Sequence, residues 1–221
     1  SGQDLPVAGF TPDADYPGFD RTWLDLHDAP SGCVAEAEIG RTWTLHLTAS
    51  QPTVRLSFAD DILHANGQEC TSPDGDPAEI MATTRIRVVG TSEAELVVVD
   101  LEGGTPAALG WTAATGLVLE LGGGGDRLVV RGGAGADALA FSTTNDNTFI
   151  DFDGDGLPDA LADGLASAVL ALGPGDDSAD GNTLAGAFML PIAICGGAGN
   201  DQLRGGRAID RLEGGEGGDL L

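Results

Sequence analysis

The 221-residue sequence contains no lysine, one tyrosine, two methionines, three histidines and three cysteines. Each shortage removes some chemistry. Positive charge rests on ten arginines against 35 acidic residues, and a net charge of −25 disfavours nucleic acid, whose phosphates call for cationic side chains. Three scattered histidines form no nucleophile and base pair that spacing supports. The sequence also lacks an HExxH pair, a GxSxG elbow and a phosphate-cradling loop, so catalysis by this chain is not expected. The longest apolar run, Ala187 to Cys195, is too short for a bilayer and contains Pro191. No membrane span or signal peptide is therefore expected.

The cysteines are Cys33, Cys70 and Cys195. In an oxidising compartment a Cys33–Cys70 disulfide would close a loop worth roughly 3 to 4 kcal/mol, with Cys195 a buried thiol. In a reducing compartment all of them stay free.

Glycine and aspartate are abundant, and they are ordered most clearly from Gly196 to Leu221. That stretch reads as the units GGAGNDQLR, GGRAIDRLE and GGEGGDLL, nine residues long except for the last, which is one short. Asp201, Asp210 and Asp219 fall nine residues apart, and Leu203, Leu212 and Leu221 follow each by two. Glycine pairs permit positive φ and leave carbonyl oxygens open to a hard cation, while aspartate adds charge. The residues after each aspartate suit a short strand whose leucine points inward.

This G-G-x-G-x-D-x-U-x pattern resembles the RTX family of secreted bacterial proteins, whose repeats wind into calcium-binding parallel β-rolls. The resemblance implies two repeats per coil, so residues eighteen apart stack. Gly197, Gly199 and Asp201 would then lie under Gly215, Gly217 and Asp219 and share an ion with them. Asp210 would lie on the opposite side, eighteen residues from Ile192. It is kept as a candidate, although Arg207, Ala208 and Ile209 stand where small turn residues are expected. Because the last unit breaks off, the roll is expected to be cut short and the chain to be a piece of a longer protein. Weaker versions of the motif, GGGGDRLVV, GGAGADALA and LGPGDDSAD, add Asp126, Asp137 and Asp177 as calcium candidates. Asp126 and Asp137 are eleven apart instead of nine, which implies larger, irregular rungs.

A second signature lies in DFDGDGLPDALADG, Asp151 to Gly164. It resembles the D-x-D-x-D-G calcium loops of EF-hands, dockerins and thrombospondin type 3 repeats. The resemblance implies ligands from Asp151, Asp153 and Asp155, a sharp turn at Gly156, the Leu157 carbonyl and Asp159. The twelfth position holds Ala162 instead of glutamate, and Asp163 is the candidate substitute. Pro158 and the strand-like Thr148 to Phe152 argue against a helix-loop-helix pair and for a loop inserted between β rungs.

Along the chain, residues 1–32 are rich in proline, aspartate and glycine, with Phe10, Tyr16, Phe19 and Trp23 spaced through them, and are read as an N-terminal arm or cap. His27 in DLHD is read as part of a solvated turn. Residues 33–78 alternate with period two at Val34 to Ile39, Trp43 to Thr48 and Val54 to Phe58, which suggests a small antiparallel β unit; His46 and His64 fall within it without a second ligand. Residues 79–195 carry short strands at Arg85 to Val89, Leu96 to Leu101, Leu117 to Leu121, Arg127 to Arg131 and Ala168 to Leu172. Glycine-rich turns follow each, without helix-period segments between them, which argues for an irregular parallel β-helix over a sandwich. Residues 196–221 form the roll repeats.

The expected fold is all-β: a right-handed parallel β-roll or β-helix with Gly-Asp calcium turns, preceded by a small antiparallel β cap. The expected role is that of an extracellular calcium-binding module, secreted or at a cell surface, serving structure or adhesion, with calcium as cofactor and folding coupled to its binding. The alternatives are a self-assembling filament or surface-layer subunit, or part of a secreted polysaccharide-acting enzyme. A cell-surface or polysaccharide partner, or self-association, is compatible with each.

Overall fold

Period-two alternation sets the architecture. In Arg85–Val89, Ile86 and Val88 are fully buried while Arg85, Arg87 and Val89 stay half-exposed, as a strand with one face on a core requires. A computed structural model describes residues 42–72, 75–79, 83–103, 116–145, 147–183 and 186–221. The N-terminal arm, His27, Cys33 and the strand expected at Val34 to Ile39 lie outside the described residues.

No helix occurs among the described residues, and so none is long and apolar enough to cross a membrane. The strands are β1 (Thr42–His46), β2 (Thr53–Ala59), β3 (Ile62–Ala65), β4 (Gln68–Glu69), β5 (Arg85–Val89), β6 (Leu96–Asp100), β7 (Leu117–Glu120), β8 (Asp126–Arg131) and β9 (Ala138–Thr144). They continue as β10 (Asn147–Asp151), β11 (Ala160–Asp163), β12 (Leu165–Pro174), β13 (Ser178–Asp180), β14 (Asn182–Thr183), β15 (Gly186–Ala187), β16 (Ile192–Ala198), β17 (Gln202–Arg204) and β18 (Arg211–Glu216).

Two eight-stranded sheets hold nearly all of them, and neither is closed. The first runs β1-β5-β7-β11-β10-β9-β13-β17 and the second β18-β16-β12-β8-β6-β2-β3-β4. The chain crosses repeatedly from one sheet to the other, so strands that meet within a sheet are one circuit apart and lie parallel. Along the second sheet successive circuits measure 43 residues (Thr53↔Leu96), 31 (Leu96↔Arg127), 40 (Leu128↔Ala168), 24 (Ala168↔Ile192) and 18 (Ala193↔Arg211), the two shortest coming last. The expected eighteen-residue spacing is present at the C-terminal end, and the larger, irregular circuits precede it.

Two departures from parallel order matter. The separate antiparallel unit expected for residues 33–78 is not what the described part of that stretch forms. β1 pairs parallel with β5 and β2 parallel with β6, and antiparallel pairing is limited to the meander β2-β3-β4 and the single bridges Thr48↔Gln51, Ile62↔Glu79 and Thr71↔Pro77. Alternation located β1 and β2 but not β3 and β4, and period two carries no information on the direction of the partner. The second departure is β9-β10-β11, an antiparallel meander inserted into the first sheet, with β11 parallel to β7 and β9 parallel to β13.

Inward side chains from both sheets form one continuous cluster from Leu45 to Leu203, including Leu56, Val99, Val130, Leu170 and Ile194 of the second sheet and Ile86, Leu119, Phe141 and Ile150 of the first. β16 runs through the junction expected at 195/196 without a break. Leu203 is buried as expected and Leu212 packs at the margin, but Leu221 is 62% exposed, which corrects the expectation that it points inward. Leu170, central in β12 and wholly enclosed, tests this core: Leu170→Ala is expected to cost about 2 to 5 kcal/mol in urea unfolding.

Candidate metal centres

Acidic side chains gather at three places. The first is the connection between β10 and β11. Asp151 ends β10, and its Oδ1 accepts from the amides of Asp153 (3.2 Å) and Gly154 (2.7 Å) while Oδ2 accepts from Gly156 (2.8 Å). These Asx-type bonds, with Gly154 and Gly156 at φ 72° and 86°, fold the loop around that carboxylate. Asp159 closes it by accepting from the Phe152 amide at 2.8 Å. One carboxylate oxygen from each of Asp151, Asp153 and Asp159 then lies within 4.8 Å of the other two, an arrangement able to hold a metal ion.

Burial pushes the Asp159 carboxyl up to about 6, helped by the charges of Asp153, Asp151 and Asp155, and raises Asp151 as well. The expectation of a loop inserted between strands, not flanked by helices, agrees with the structure. Asp155 stands apart from the trio, exposed, its Oδ1 accepting from Leu157, and Leu157 is also exposed. Asp163 is corrected as a candidate: it ends β11 opposite Asn147, four residues of strand from Asp159 and so about 13 Å away.

The second place is the corner where the chain passes from the second sheet to the first. Asp137, Asp177, Asp201 and Asp219 stack there in a ladder. The amide of Asp137 donates to Asp177 Oδ1 (2.8 Å), that of Asp177 to Asp201 Oδ1 (2.9 Å), and that of Asp201 to Asp219 Oδ1 (3.1 Å). Asp201 thus meets Asp219 as the eighteen-residue spacing predicts. The ladder also includes Asp137 and Asp177, whose larger spacings of 40 and 24 residues are the circuit lengths themselves.

Beside the ladder run two columns of glycines at positive φ, Gly173-Gly197-Gly215 and Gly175-Gly199-Gly217. A Cβ on Gly199 would fall on the Gly175 carbonyl oxygen, and one on Gly197 on that of Gly173. Close stacking of carbonyls and carboxylates at this corner therefore requires glycine.

The third place is the opposite corner, where the chain returns to the second sheet. Asp126 opens β8, and its Oδ1 accepts from the Glu95 amide at 2.8 Å. Both side chains are buried, and Glu95 Oε1 accepts from the Thr91 amide. Asp126 and Asp137 thus belong to opposite corners, which explains their eleven-residue spacing. The next circuit offers Leu165 opposite Asp126, so this column stops. Asp210 lies on the same side as expected, its Oδ1 accepting from the Ile192 amide at 3.1 Å and its Oδ2 from Gly206 at 2.7 Å. Glu95 was not legible as a site residue, since TSEAE carries no glycine motif and only the register brings it to Asp126.

Among the described residues, four buried carboxylate oxygens have no hydrogen-bond partner: Asp177 Oδ2, Asp201 Oδ2, Asp126 Oδ2 and Glu95 Oε2. Burial pushes Asp177 and Asp126 up to about 6 and raises Asp137. An isolated buried carboxylate is strongly disfavoured and must take a proton or a cation. Oxygen-only donor sets of carboxylates and backbone carbonyls suit a hard cation such as calcium. His46 is exposed, and His64 Nδ1 lies 3.1 Å from the Ile62 carbonyl; neither belongs to an acidic cluster. A groove along β9, β13 and β17 reaches the β10–β11 loop, and none of the described residues that line it is aromatic.

No protein-family model, curated protein or solved structure matches this chain.

Two outcomes test these centres. Gly199→Ala is expected to destabilise by more than about 1 kcal/mol in urea unfolding, whereas Gly123→Ala, with open space and no positive φ, is expected to be near neutral. Asp126, Asp159 and Asp177 rise from 3.8 to about 6, so in metal-free protein their stabilising share is complete below pH 3.8 and is lost as pH climbs through 6. The melting temperature in chelator is therefore expected to fall between pH 4 and pH 7.

Proposed function

We propose that this chain is a calcium-binding β-roll of the RTX type, acting outside the cell as a structural or adhesive module whose winding is completed by the ion. The observation that carries the reading is the stacked aspartate ladder with unpartnered, buried Oδ2 atoms on Asp177 and Asp201. Alternation of strands between two mostly parallel sheets and a final circuit of eighteen residues support the roll.

The residues fit a calcium ion. At the ladder, Asp137, Asp177, Asp201 and Asp219 would hold it with carbonyl oxygens of the glycine columns. At the inserted loop, Asp151, Asp153 and Asp159 would do so, with Asp155 and the Leu157 carbonyl as further donors. Glu95 and Asp126 form a third, smaller set. When bound, calcium supplies positive charge and replaces the proton that burial otherwise favours.

The chain's own residues do the rest. Asp151 shapes its loop through three amides, and each ladder aspartate fixes the register of the preceding circuit through an amide. Because closely spaced carboxylates repel, metal-free turns would be open where calcium is scarce and would close where it is abundant. Extracellular sites of this kind bind at about 0.1 to 1 mM, and a hundredfold excess over Kd stabilises by about 2.7 kcal/mol per site. In the oxidising setting this implies, Cys70, which is wholly buried, pairs with Cys33.

The decisive experiment compares calorimetric melting with EDTA and with 10 mM calcium for the full chain and for Asp177→Asn. Calcium is expected to raise the wild-type melting temperature. The variant is expected to melt higher than wild type in EDTA, because a buried charge is gone, and to lose part of the calcium increment. An unchanged melting profile on adding calcium would refute the proposal.

A further inference from the structure

Each step of the Asp137 to Asp219 ladder repeats the same contacts between an earlier turn and the turn one circuit later. The amide of the earlier aspartate donates to Oδ1 of the later one. The carbonyls two and four residues before the earlier aspartate lie under glycines of the later turn, as Gly175 and Gly173 lie under Gly199 and Gly197. A glycine five residues before Asp137 and before Asp201 leaves a gap in which the Oδ2 atom meets a carbonyl of the later turn. Gly132 does so for Asp137 and the Leu172 carbonyl, and Gly196 for Asp201 and the Gly214 carbonyl.

The opposite corner reproduces these contacts without the Gly-Asp signature in its earlier turn, Thr91 to Glu95. The Glu95 amide donates to Asp126 Oδ1, 31 residues later, at 2.8 Å. The Thr91 and Glu93 carbonyls lie under Gly122 and Gly124, whose φ values are 81° and 136°. Gly90, five residues before Glu95, leaves the gap: a Cβ there would stand 2.7 Å from both Glu95 Oε2 and the Leu121 carbonyl oxygen. Glu95 therefore takes the place of a ladder aspartate. Its extra methylene is absorbed by folding back, with Oε1 accepting from the Thr91 amide at 2.8 Å and from the Thr91 hydroxyl.

The arrangement gathers charge without balancing it. Glu95 is 2% exposed and Asp126 0%, and their Oε2 and Oδ2 atoms have no hydrogen-bond partner. After burial, the Glu95 carboxylate is what pushes Asp126 up to about 6, so the two acids face each other. One proton would neutralise one of the two charges, whereas a divalent cation neutralises both. The atoms at hand are the two carboxylate oxygens and the carbonyl oxygens of Thr91, Glu93 and Leu121. An all-oxygen set of this size, completed by water, suits a hard cation that takes six to eight ligands. Leu165 stands opposite Asp126 in the next circuit, so the set is closed at one ion.

We propose that the Glu95–Asp126 corner is a single-ion site for a hard divalent cation, equivalent to one step of the ladder and filled independently of it. The proposal rests on the calcium-binding reading of the chain. It adds a site of its own in the long circuits, where the ion ties the turn that enters β6 to the turn that enters β8.

Calcium chloride is the probe. Native mass spectrometry counts the ions held by the full chain, by Glu95→Gln/Asp126→Asn and by Asp177→Asn, and hydrogen exchange with and without calcium reads the turns singly. The double variant is expected to hold one ion fewer than wild type. It is also expected to lose an about tenfold calcium-induced slowing of amides in 90–95 and 121–126, while that in 197–201 persists. Asp177→Asn is expected to do the reverse. An equal ion count with slowing at 121–126 retained in the double variant overturns the proposal and leaves the calcium-binding reading standing. Should the double variant not fold, wild type alone decides: calcium-induced slowing at 197–201 with none at 90–95 and 121–126 overturns the proposal. A wild-type chain that holds no calcium at all overturns both.

Discussion

The structure depends on how buried carboxylates are neutralised. Asp100 shows one solution: enclosed on the outer face of the second sheet, it is held by Arg55 and by Arg131 at 2.8 Å. Asp177 and Asp201 are buried as deeply but receive one backbone amide on Oδ1, from Asp137 and Asp177 respectively, and nothing on Oδ2. Amide donors offset part of the cost of taking an anion out of water, yet they leave the charge unbalanced. Sheet faces, where long side chains can lie flat, accommodate arginine. Glycine turns stacked one on another leave no room for it, so charge balance at the corners has to come from something as small as a proton or an ion.

Stacking and neutralisation are coupled through register. Each ladder bond joins an amide to a carboxylate one circuit later, so the spacing of the ladder follows circuits of 40, 24 and 18 residues without distortion. This permits large insertions. The meander β9-β10-β11 adds strands to the first sheet, yet β12 still returns beside β8 with Ala168 opposite Leu128. The inserted loop then gathers its own carboxylates locally, through bonds that span at most seven residues. Long-range and local clusters thus arise from different constraints, the first from sheet register and the second from turn chemistry.

That distinction explains what could be read in advance. Residues 196–221 were legible because glycine, aspartate and leucine recur at a fixed interval, and Asp201 over Asp219 follows from arithmetic. The loop at Asp151 to Asp159 was legible because its ligands are neighbours in sequence. The ladder above Asp201 was only half legible: Asp137 and Asp177 carry the glycine signature, but circuits of unequal length hide that they share a corner. Glu95 carries no signature at all. Strand positions such as Arg85 to Val89 and Leu117 to Leu121 were readable from alternation, whereas the parallel partners of β1 and β2 lie 43 residues away and leave no local trace. Asp163 failed as a ligand because sequence distance from Asp159 is small while strand geometry carries it away.

The two ends of the stack are held differently, and this follows from circuit length. A long circuit contributes whole strands to the core, as β2 does with Val54, Leu56 and Phe58, and has outward positions for arginine pairs such as Arg87 with Glu120. In the last circuit, β17 contributes Leu203 alone and most of the remaining residues are spent on turns. As circuits shorten, apolar burial per circuit falls while the density of corner carboxylates rises. Hydrophobic cohesion therefore dominates where circuits are long, and neutralisation of the ladder dominates where they are short. A gradient of this kind makes charge neutralisation along the ladder weigh most in the C-terminal circuits, while the Asp151 to Asp159 loop and the Glu95–Asp126 pair carry the same burden locally in the longer ones.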